Sequence, residues 1–132
     1  MAPIRKFNRD DIINRGYNIA KEEGLESINA RRVAKELNSS VQPIFHNFTN
    51  MEELKNEVVD KIYTTYQEYM LKGSKEEKPY KGMGLAYIKF AKDYSNFFRI
   101  LFMSESKLSP NSFIKNDDIG NVILKEGQIF SG

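Results

Sequence analysis

The sequence contains no cysteine and a single histidine, His46. Without cysteine the chain has no disulfide, no thiolate nucleophile and no sulfur-ligated zinc site, and one histidine excludes a metal centre built from several. No apolar run reaches the roughly 18 residues that a membrane helix needs. The first residues also lack the apolar region of a signal peptide. These absences predict a cytoplasmic protein without a metal ion, a cofactor or a membrane partner.

Neither sign of charge predominates, because the formal net charge is only +2. Residues 1–50 hold eight Lys or Arg against six Asp or Glu, whereas residues 51–71 hold two against five. A modestly basic first segment is compatible with phosphate contact. Ordinary solvated helix faces would give the same distribution, so charge alone does not choose between the two.

The combinations of side chains that enzymes use for catalysis are missing as well. The sequence offers no nucleophile–base pair and no glycine loop that would hold a phosphate. Gly82 and Gly84 lack both the strand context and the third glycine of a dinucleotide-binding motif. Adjacent acidic residues such as Asp10 and Asp11 diverge by about 100° on a helix and do not converge on one site. We therefore predict that the protein is not an enzyme.

What the sequence does contain is helical patterning along its whole length, which predicts an all-α fold. Apolar residues recur at three- and four-residue spacing, and residues 97–103 are apolar on nearly every side, which predicts a buried segment. Residues 72–78 are polar and predict a loop. The predicted helices cover residues 9–23, 30–37, 41–47, 51–71, 79–103 and 111–126. The fifth of them includes the apolar residues 97–103.

Residues typical of helix ends mark these boundaries. Asn8 is a predicted N-cap, and Gly24 follows the end of the first helix. The turn after the second helix begins at Asn38, and Ser40 is the predicted cap of the third helix. Asn50, followed by Glu53, predicts a capping box at the start of the fourth.

Three short helices, the second and third joined by a three-residue turn, meet the specification of a helix-turn-helix. The third helix has Ile44 and Phe48 as its predicted inward anchors. Its remaining residues are then free to enter a major groove. These outward residues are Val41, Gln42, Pro43, Phe45 and His46.

Residues from Phe7 to about Leu54 resemble the DNA-binding head of the tetracycline-repressor (TetR) family. The resemblance rests on the runs 24–37 (GLESINARRVAKEL), 39–40 (SS), 44–48 (IFHNF) and 51–54 (MEEL). Residues 84–91 and 97–102 are similar to the effector domain of one subgroup. The family usually has glycine at Asn38, tyrosine at Phe45, histidine at Asn47 and lysine at Met51.

The resemblance implies a sequence-specific transcriptional regulator, a repressor released by a small apolar effector. It divides the chain into a DNA-binding head, residues 1–50, and part of a helical effector-binding and dimerisation domain, residues 51–132. The family acts as homodimers. The last helices of the family, which pair the subunits, would lie beyond Gly132, so we expect this chain to be shortened and not to form the family's dimer.

The chemistry of the head suggests a role for each contact residue on double-stranded DNA. Gln42 suits an adenine edge and Arg31 a guanine edge, while Val41, Pro43 and Phe45 offer apolar surface to a thymine methyl group. Polar groups would contact phosphates, and a basic arm that includes Arg9 would add to them. The predicted DNA-binding residues are Arg31, Ser40, Val41, Gln42, Pro43, Phe45, His46, Asn47, Thr49 and Lys55.

Aromatic residues at helical spacing in the second half of the chain support two hypotheses. Either they line an apolar effector pocket, or they form the core, which is the commoner role of aromatic residues at this spacing. The effector-binding hypothesis names Tyr66, Tyr87, Phe90, Tyr94 and Phe98. The competing hypothesis for the whole chain is a truncated helical protein-interaction module without competent DNA binding.

Overall fold

The computed structural model describes residues 7–103, and this part of the chain is helical without any β-strand. The all-α prediction is therefore confirmed there, whereas the predicted helix at 111–126 lies outside the described residues. The helices are α1 (Arg9–Glu23), α2 (Ala30–Leu37), α3 (Gln42–Asn47), α4 (Met51–Ser74), α5 (Pro79–Asp93) and α6 (Ser95–Phe102). A single 3₁₀ turn, Leu25–Ser27, separates α1 from α2.

The ends of α1 are those that the sequence predicts. The Asn8 side chain accepts a hydrogen bond from the amide of Asp11 at 2.8 Å, and the Asp11 carboxylate accepts one from the amide of Asn8 at 3.1 Å. This reciprocal pair is a complete capping box. After the helix, Gly24 has a φ of 100°, which residues other than glycine rarely adopt.

The turn between α2 and α3 depends on Asn38, whose φ of 55° and ψ of 45° are left-handed. Asparagine tolerates this conformation better than most residues, so the turn forms without glycine. The third helix begins at Gln42, one residue later than predicted, with Val41 as its N-cap. The Ser40 hydroxyl still accepts a hydrogen bond from the amide of Gln42, at 3.3 Å.

The start of α4 differs from the predicted capping box in one respect. The Asn50 side chain accepts a hydrogen bond from the amide of Glu53 at 2.9 Å, as expected. The Glu53 carboxylate, however, accepts from the amide of Thr49 at 2.8 Å and not from that of Asn50. The reciprocal bond is therefore shifted by one residue toward α3.

The predicted end of α4 near Leu71 is wrong, since the helix continues to Ser74. The cause is tertiary packing against α5. Gly73 and Gly82 bring the two helices into backbone contact, so that a Cβ atom added to Gly82 would lie 2.1 Å from the carbonyl oxygen of Gly73. The loop shrinks to residues 75–78, and α5 begins at Pro79 as predicted.

One continuous apolar core extends through these helices, from Ile12 in α1 to Phe97 in α6. It crosses the predicted domain boundary at residue 50, because α4 packs against α1 and its Leu54, Val58 and Ile62 are fully buried. The first half of α4 is therefore part of the core of the head.

The prediction that residues 97–103 are buried on nearly every side is wrong at their C-terminal end. Phe97 is completely buried, but Phe102 and Met103 are exposed over 40% and 69% of their surface. The reason is that α6 packs against α1, α4 and α5 on one side only. Its other side remains open within residues 7–103.

Candidate nucleic-acid interface

The third helix is fixed to the head by two buried side chains, Ile44 and Phe48, as the sequence predicts. The guanidinium of Arg9 lies over the ring of Phe48, 4.3 Å from its centroid. Such a contact adds electrostatic attraction to the burial of the ring. A six-residue helix is too short to be stable alone, so these anchors hold its orientation.

The opposite side of α3 is open to solvent. Val41 and Phe45 are exposed over 41% and 47% of their surface, and Gln42 and His46 are also exposed. Residues three or four apart lie on one side of a helix, so these four side chains form a single surface. Pro43 is half-buried beside it, and Ser40 is exposed at its start.

Two adjacent arginines at the start of α2 have different environments. Arg32 binds both carboxylate oxygens of Glu23 and lies 3.1 Å from Glu36, and its hydrogen bonds lower the pKa of Glu23. Arg31 is exposed and makes no ion pair within residues 7–103. Arg31 is therefore the arginine of the two that has no ion-pair partner within residues 7–103.

Arg9, expected in a basic arm for phosphates, has a structural role instead. Its guanidinium donates to the carbonyl of Asn47 at 2.6 Å and to the carboxylates of Glu53 and Glu57 at 3.0 and 3.4 Å. It therefore joins α1 to the end of α3 and to the first turns of α4. Three of its N–H donors are therefore used within the structure, although 40% of the side chain is exposed.

Asn47 also differs from its expected role as a phosphate donor. Its side-chain amide donates to the carbonyl of Pro43 at 2.7 Å and to that of Phe7 at 3.3 Å. An asparagine has two N–H donors, and both are used here. Asn47 thus fixes the end of α3 against the start of α1.

The other two expected phosphate ligands lie at the start of α4. Thr49 is exposed, with its backbone amide bound to Glu53. Lys55 is half-buried on the first turns of the helix and makes no ion pair within the described part of the chain. Thr49 is thus bound to Glu53, whereas Arg31, His46 and Lys55 keep side chains that make no ion pair within residues 7–103.

The network around Glu53 predicts a dependence of stability on pH. Its pKa is lowered mainly by the hydrogen bond from the Thr49 amide and then by Arg9. A carboxylate with a lowered folded-state pKa stabilises the fold above its unfolded-state pKa, and this contribution is lost as the pH falls through the folded value. Glu53→Gln is therefore expected to lower the melting temperature at pH 7, with the difference from wild type shrinking as the pH falls below about 4, where the unfolded-state carboxyl becomes protonated.

Thermal unfolding followed by circular dichroism at several pH values measures this effect. Glu52→Gln is the matched control, because Glu52 is an exposed carboxylate in the same first turn. A constant difference between Glu53→Gln and wild type from pH 7 to about pH 3 would contradict the assignment.

The five predicted effector residues lie in one cluster of mutually packed rings. Tyr66 contacts Phe90 and Tyr87 edge to face, with centroid distances of 5.4 and 6.5 Å, and Tyr87 contacts Phe98 at 5.3 Å. Tyr94 packs on Phe90 at 5.7 Å. Burial raises the pKa of Tyr66 to about 12. Tyr66 and Phe90 thus act as core between α4, α5 and α6, whereas Tyr94 and Phe98 are half-buried and Tyr87 is exposed.

A second set of contacts joins the head to these helices. The Tyr17 hydroxyl lies 2.8 Å from that of Thr65 in α4, and the Tyr17 ring packs on Phe97 in α6 with centroids 4.8 Å apart. Asn96 donates to the carbonyl of Lys21 at 3.0 Å. No local pattern in the sequence predicts these pairings, because the partners are 48 to 80 residues apart in the chain.

Comparison with protein-family models, with curated proteins and with solved structures gave no significant match. Within residues 7–103 no helix combines the length and the apolar character needed to cross a bilayer.

Proposed function

We propose that the protein binds double-stranded DNA in a sequence-specific manner, with α3 in the major groove, and acts as a transcriptional regulator. The observation that carries the proposal is the two-sided character of α3. Ile44 and Phe48 anchor one side, while Val41, Gln42 and Phe45 are exposed on the other. Exposed apolar side chains next to an amide suit the base edges of a groove better than they suit water.

The charges around α3 support the same proposal. Arg9 is paired with Glu53 and Glu57, and Arg32 with Glu23 and Glu36, so each arginine offsets one of two carboxylate charges. Pairing reduces the repulsion that these carboxylates would exert on a phosphate backbone. Arg31 and Lys55 keep their charges free of such pairs among residues 7–103, and they lie on α2 and α4, the helices that precede and follow α3 in the chain. They are the proposed backbone and base contacts from outside that helix.

The aromatic cluster is the proposed effector site. A small apolar molecule would have to separate rings that touch each other, such as Tyr66 and Phe90. Because Phe97 contacts both the cluster, through Tyr94 at 5.0 Å, and Tyr17 of the head, such a separation would also disturb the head. Release of DNA by an apolar effector is proposed on this basis.

A protein-interaction module is the second candidate, and exposed apolar residues on α5 and α6 favour it. Leu85 and Ile88 are exposed over 57% and 53% of their surface, and Phe102 at the end of α6 and Met103 after it are exposed as well. Clustered exposed apolar groups often mark contact surfaces. If this second function is the correct one, the chain is expected to bind another protein and to show no preference among DNA sequences.

Two substitutions separate base reading from phosphate contact. Gln42→Ala is expected to relax the preference at one base pair, by about 1–3 kcal/mol, because the alanine side chain has no amide. Lys55→Ala is expected to weaken binding to all sequences about equally and to reduce the salt dependence by roughly one charge. Selection from a random-site library measures the first effect, and binding titrations at several salt concentrations measure the second. Recovery of the same motif with Gln42→Ala as with wild type would contradict the assignment of Gln42.

A further inference from the structure

The outer sides of α5 and α6 form an apolar surface that is open within residues 7–103. We call it the α5–α6 patch, and it consists of Tyr87, Ile88, Phe98, Phe102 and Met103. The ring centroid of Tyr87 lies 5.3 Å from that of Phe98 and 5.7 Å from that of Phe102, so the rings are continuous. Ile88 and Met103, both exposed, extend this surface along α5 and beyond the end of α6. Contiguous exposed apolar groups usually mark a surface that another element covers.

Positive charge without an acidic counterpart borders the patch. Lys92 is one helical turn from Ile88, and Arg99 is one turn from Phe102. Both cations are exposed, and neither makes an ion pair within the described residues. Asp93 is the one acidic residue in the sequence from 79 to 103, and it is paired with another lysine of α5 at 3.2 Å. The patch therefore favours a partner that carries acidic residues.

The chain itself continues from the edge of this patch, because Met103 belongs to it. The seven residues 104–110 separate Met103 from the helix that the sequence predicts at 111–126. Seven extended residues span at most about 25 Å. A helix over 111–126 would be about 24 Å long, close to the length of about 22 Å for the 15-residue α5. The segment 111–126 can therefore reach the patch and extend along it.

The segment 111–126 also has the composition that the patch favours. Ile114, Asp118 and Val122 are each four residues apart, so a helix would place an acid between two apolar side chains on one side. The segment holds three acidic residues against two lysines, which gives it a net charge of −1. It also contains six large apolar residues, which gain free energy when they are covered. These are Phe113, Ile114, Ile119, Val122, Ile123 and Leu124.

From these features we infer that the segment 111–126 of the same chain covers the α5–α6 patch as a helix. Its apolar residues would cover Ile88 and Met103, and its acidic residues would meet Lys92 and Arg99. A second copy of the chain fits less well, because it would bring two sets of the same cations together. A separate acidic protein would compete with a tethered segment, whose effective concentration is on the order of mM. The inference is independent of DNA binding.

Hydrogen–deuterium exchange of the full chain, followed by mass spectrometry, tests the inference. The amides of residues 111–126 are expected to exchange more slowly in the chain than in a synthetic peptide of the same sequence. Ile88→Asp is expected to speed this exchange about tenfold, because it removes an apolar contact and adds a charge that repels the acidic residues. Val41→Asp is the matched control, since Val41 is an exposed apolar residue of α3, and it is expected to leave the exchange unchanged.

Neutralising charges within the segment tests the role of its acidic residues. Asp117→Asn combined with Asp118→Asn is expected to speed the exchange of residues 111–126 about threefold. Lys115→Gln combined with Lys125→Gln is the matched control and is expected not to speed it. Exchange in the core helices α1 and α4, measured in the same samples, shows that each variant is folded.

Four results would overturn the inference. One is exchange of residues 111–126 in the wild-type chain at the rate of the free peptide. Another is an equal effect of Ile88→Asp and Val41→Asp. The third is an equal effect of the aspartate and the lysine substitutions, which would exclude a contribution of the acidic residues. The last is a dimer in sedimentation equilibrium that Ile88→Asp dissociates, which would mean that a second copy covers the patch.

Discussion

Replacing Gly82 with alanine is expected to lower the free energy of unfolding by roughly 3 kcal/mol, at the upper end of the range for overpacking. The added Cβ atom would lie 2.1 Å from the carbonyl oxygen of Gly73. The obstacle is backbone within a helix, so it cannot rotate away as a flexible side chain would. The two helices must therefore separate, and they share more contacts than any other pair.

Gly84 is the matched control because it lies in the same helix and nothing is within 4 Å of the position of its Cβ atom. Gly84→Ala is expected to raise the free energy of unfolding by about 0.5–1 kcal/mol, since alanine loses less backbone entropy in a helix. Urea denaturation monitored by circular dichroism gives both values. Equal effects of the two substitutions would mean that α4 and α5 do not cross at Gly73 and Gly82.

The second large effect is expected at two neighbouring residues of α3. Ile44→Ala is expected to cost about 2–4 kcal/mol of stability, because Ile44 is completely buried and its loss leaves a cavity. Phe45→Ala is expected to change stability by less than about 0.5 kcal/mol, because the Phe45 ring is half-exposed. Its effect should instead appear in DNA binding, where a ring that contacts a thymine methyl group or a sugar is lost.

Stability and DNA affinity of the two variants must be measured on the same preparations. Thermal unfolding gives the first quantity, and fluorescence anisotropy with a selected duplex gives the second, at a temperature where both variants are folded. If Phe45→Ala lost stability like Ile44→Ala, the orientation of α3 would be wrong. If it kept full DNA affinity, Phe45 would not belong to the interface.

Local features of the fold were predictable because they depend on a few adjacent residues. Asn8, Gly24 and Asn38 each satisfy a requirement of the backbone at a helix end, namely a side-chain acceptor or a left-handed conformation. The alternation of Ile44 and Phe48 with exposed neighbours likewise follows from the helical period. Such signals are present in the sequence itself.

Long-range pairings were not predictable, because the sequence does not state which distant residues meet. Arg9 was expected in a basic arm, yet its partners Glu53 and Glu57 are more than 40 residues away. The extension of α4 to Ser74 similarly depends on a glycine in another helix. A single glycine in a helical pattern signals close backbone approach, but not the helix that approaches.

The aromatic residues illustrate the same limit for the candidate effector site. Their spacing placed them on one side of each helix, and the structure brings the rings of Tyr66, Tyr87, Phe90 and Phe98 together. Periodicity does not distinguish a pocket from a core, since both need an inward apolar stripe. The distinction depends on how closely the rings pack, which is a property of three helices at once.

The most direct test of DNA binding is a fluorescence-anisotropy titration of the chain with a labelled duplex at two salt concentrations. We predict binding at about 50 mM salt that weakens strongly at about 200 mM. The reason is that Arg31, Lys55 and the polar groups of α3 would release counterions from the phosphates. Arg31→Gln combined with Lys55→Gln should reduce that salt dependence by about two charges. An absence of binding at 50 mM salt, or an affinity indifferent to salt, would contradict DNA binding by this head.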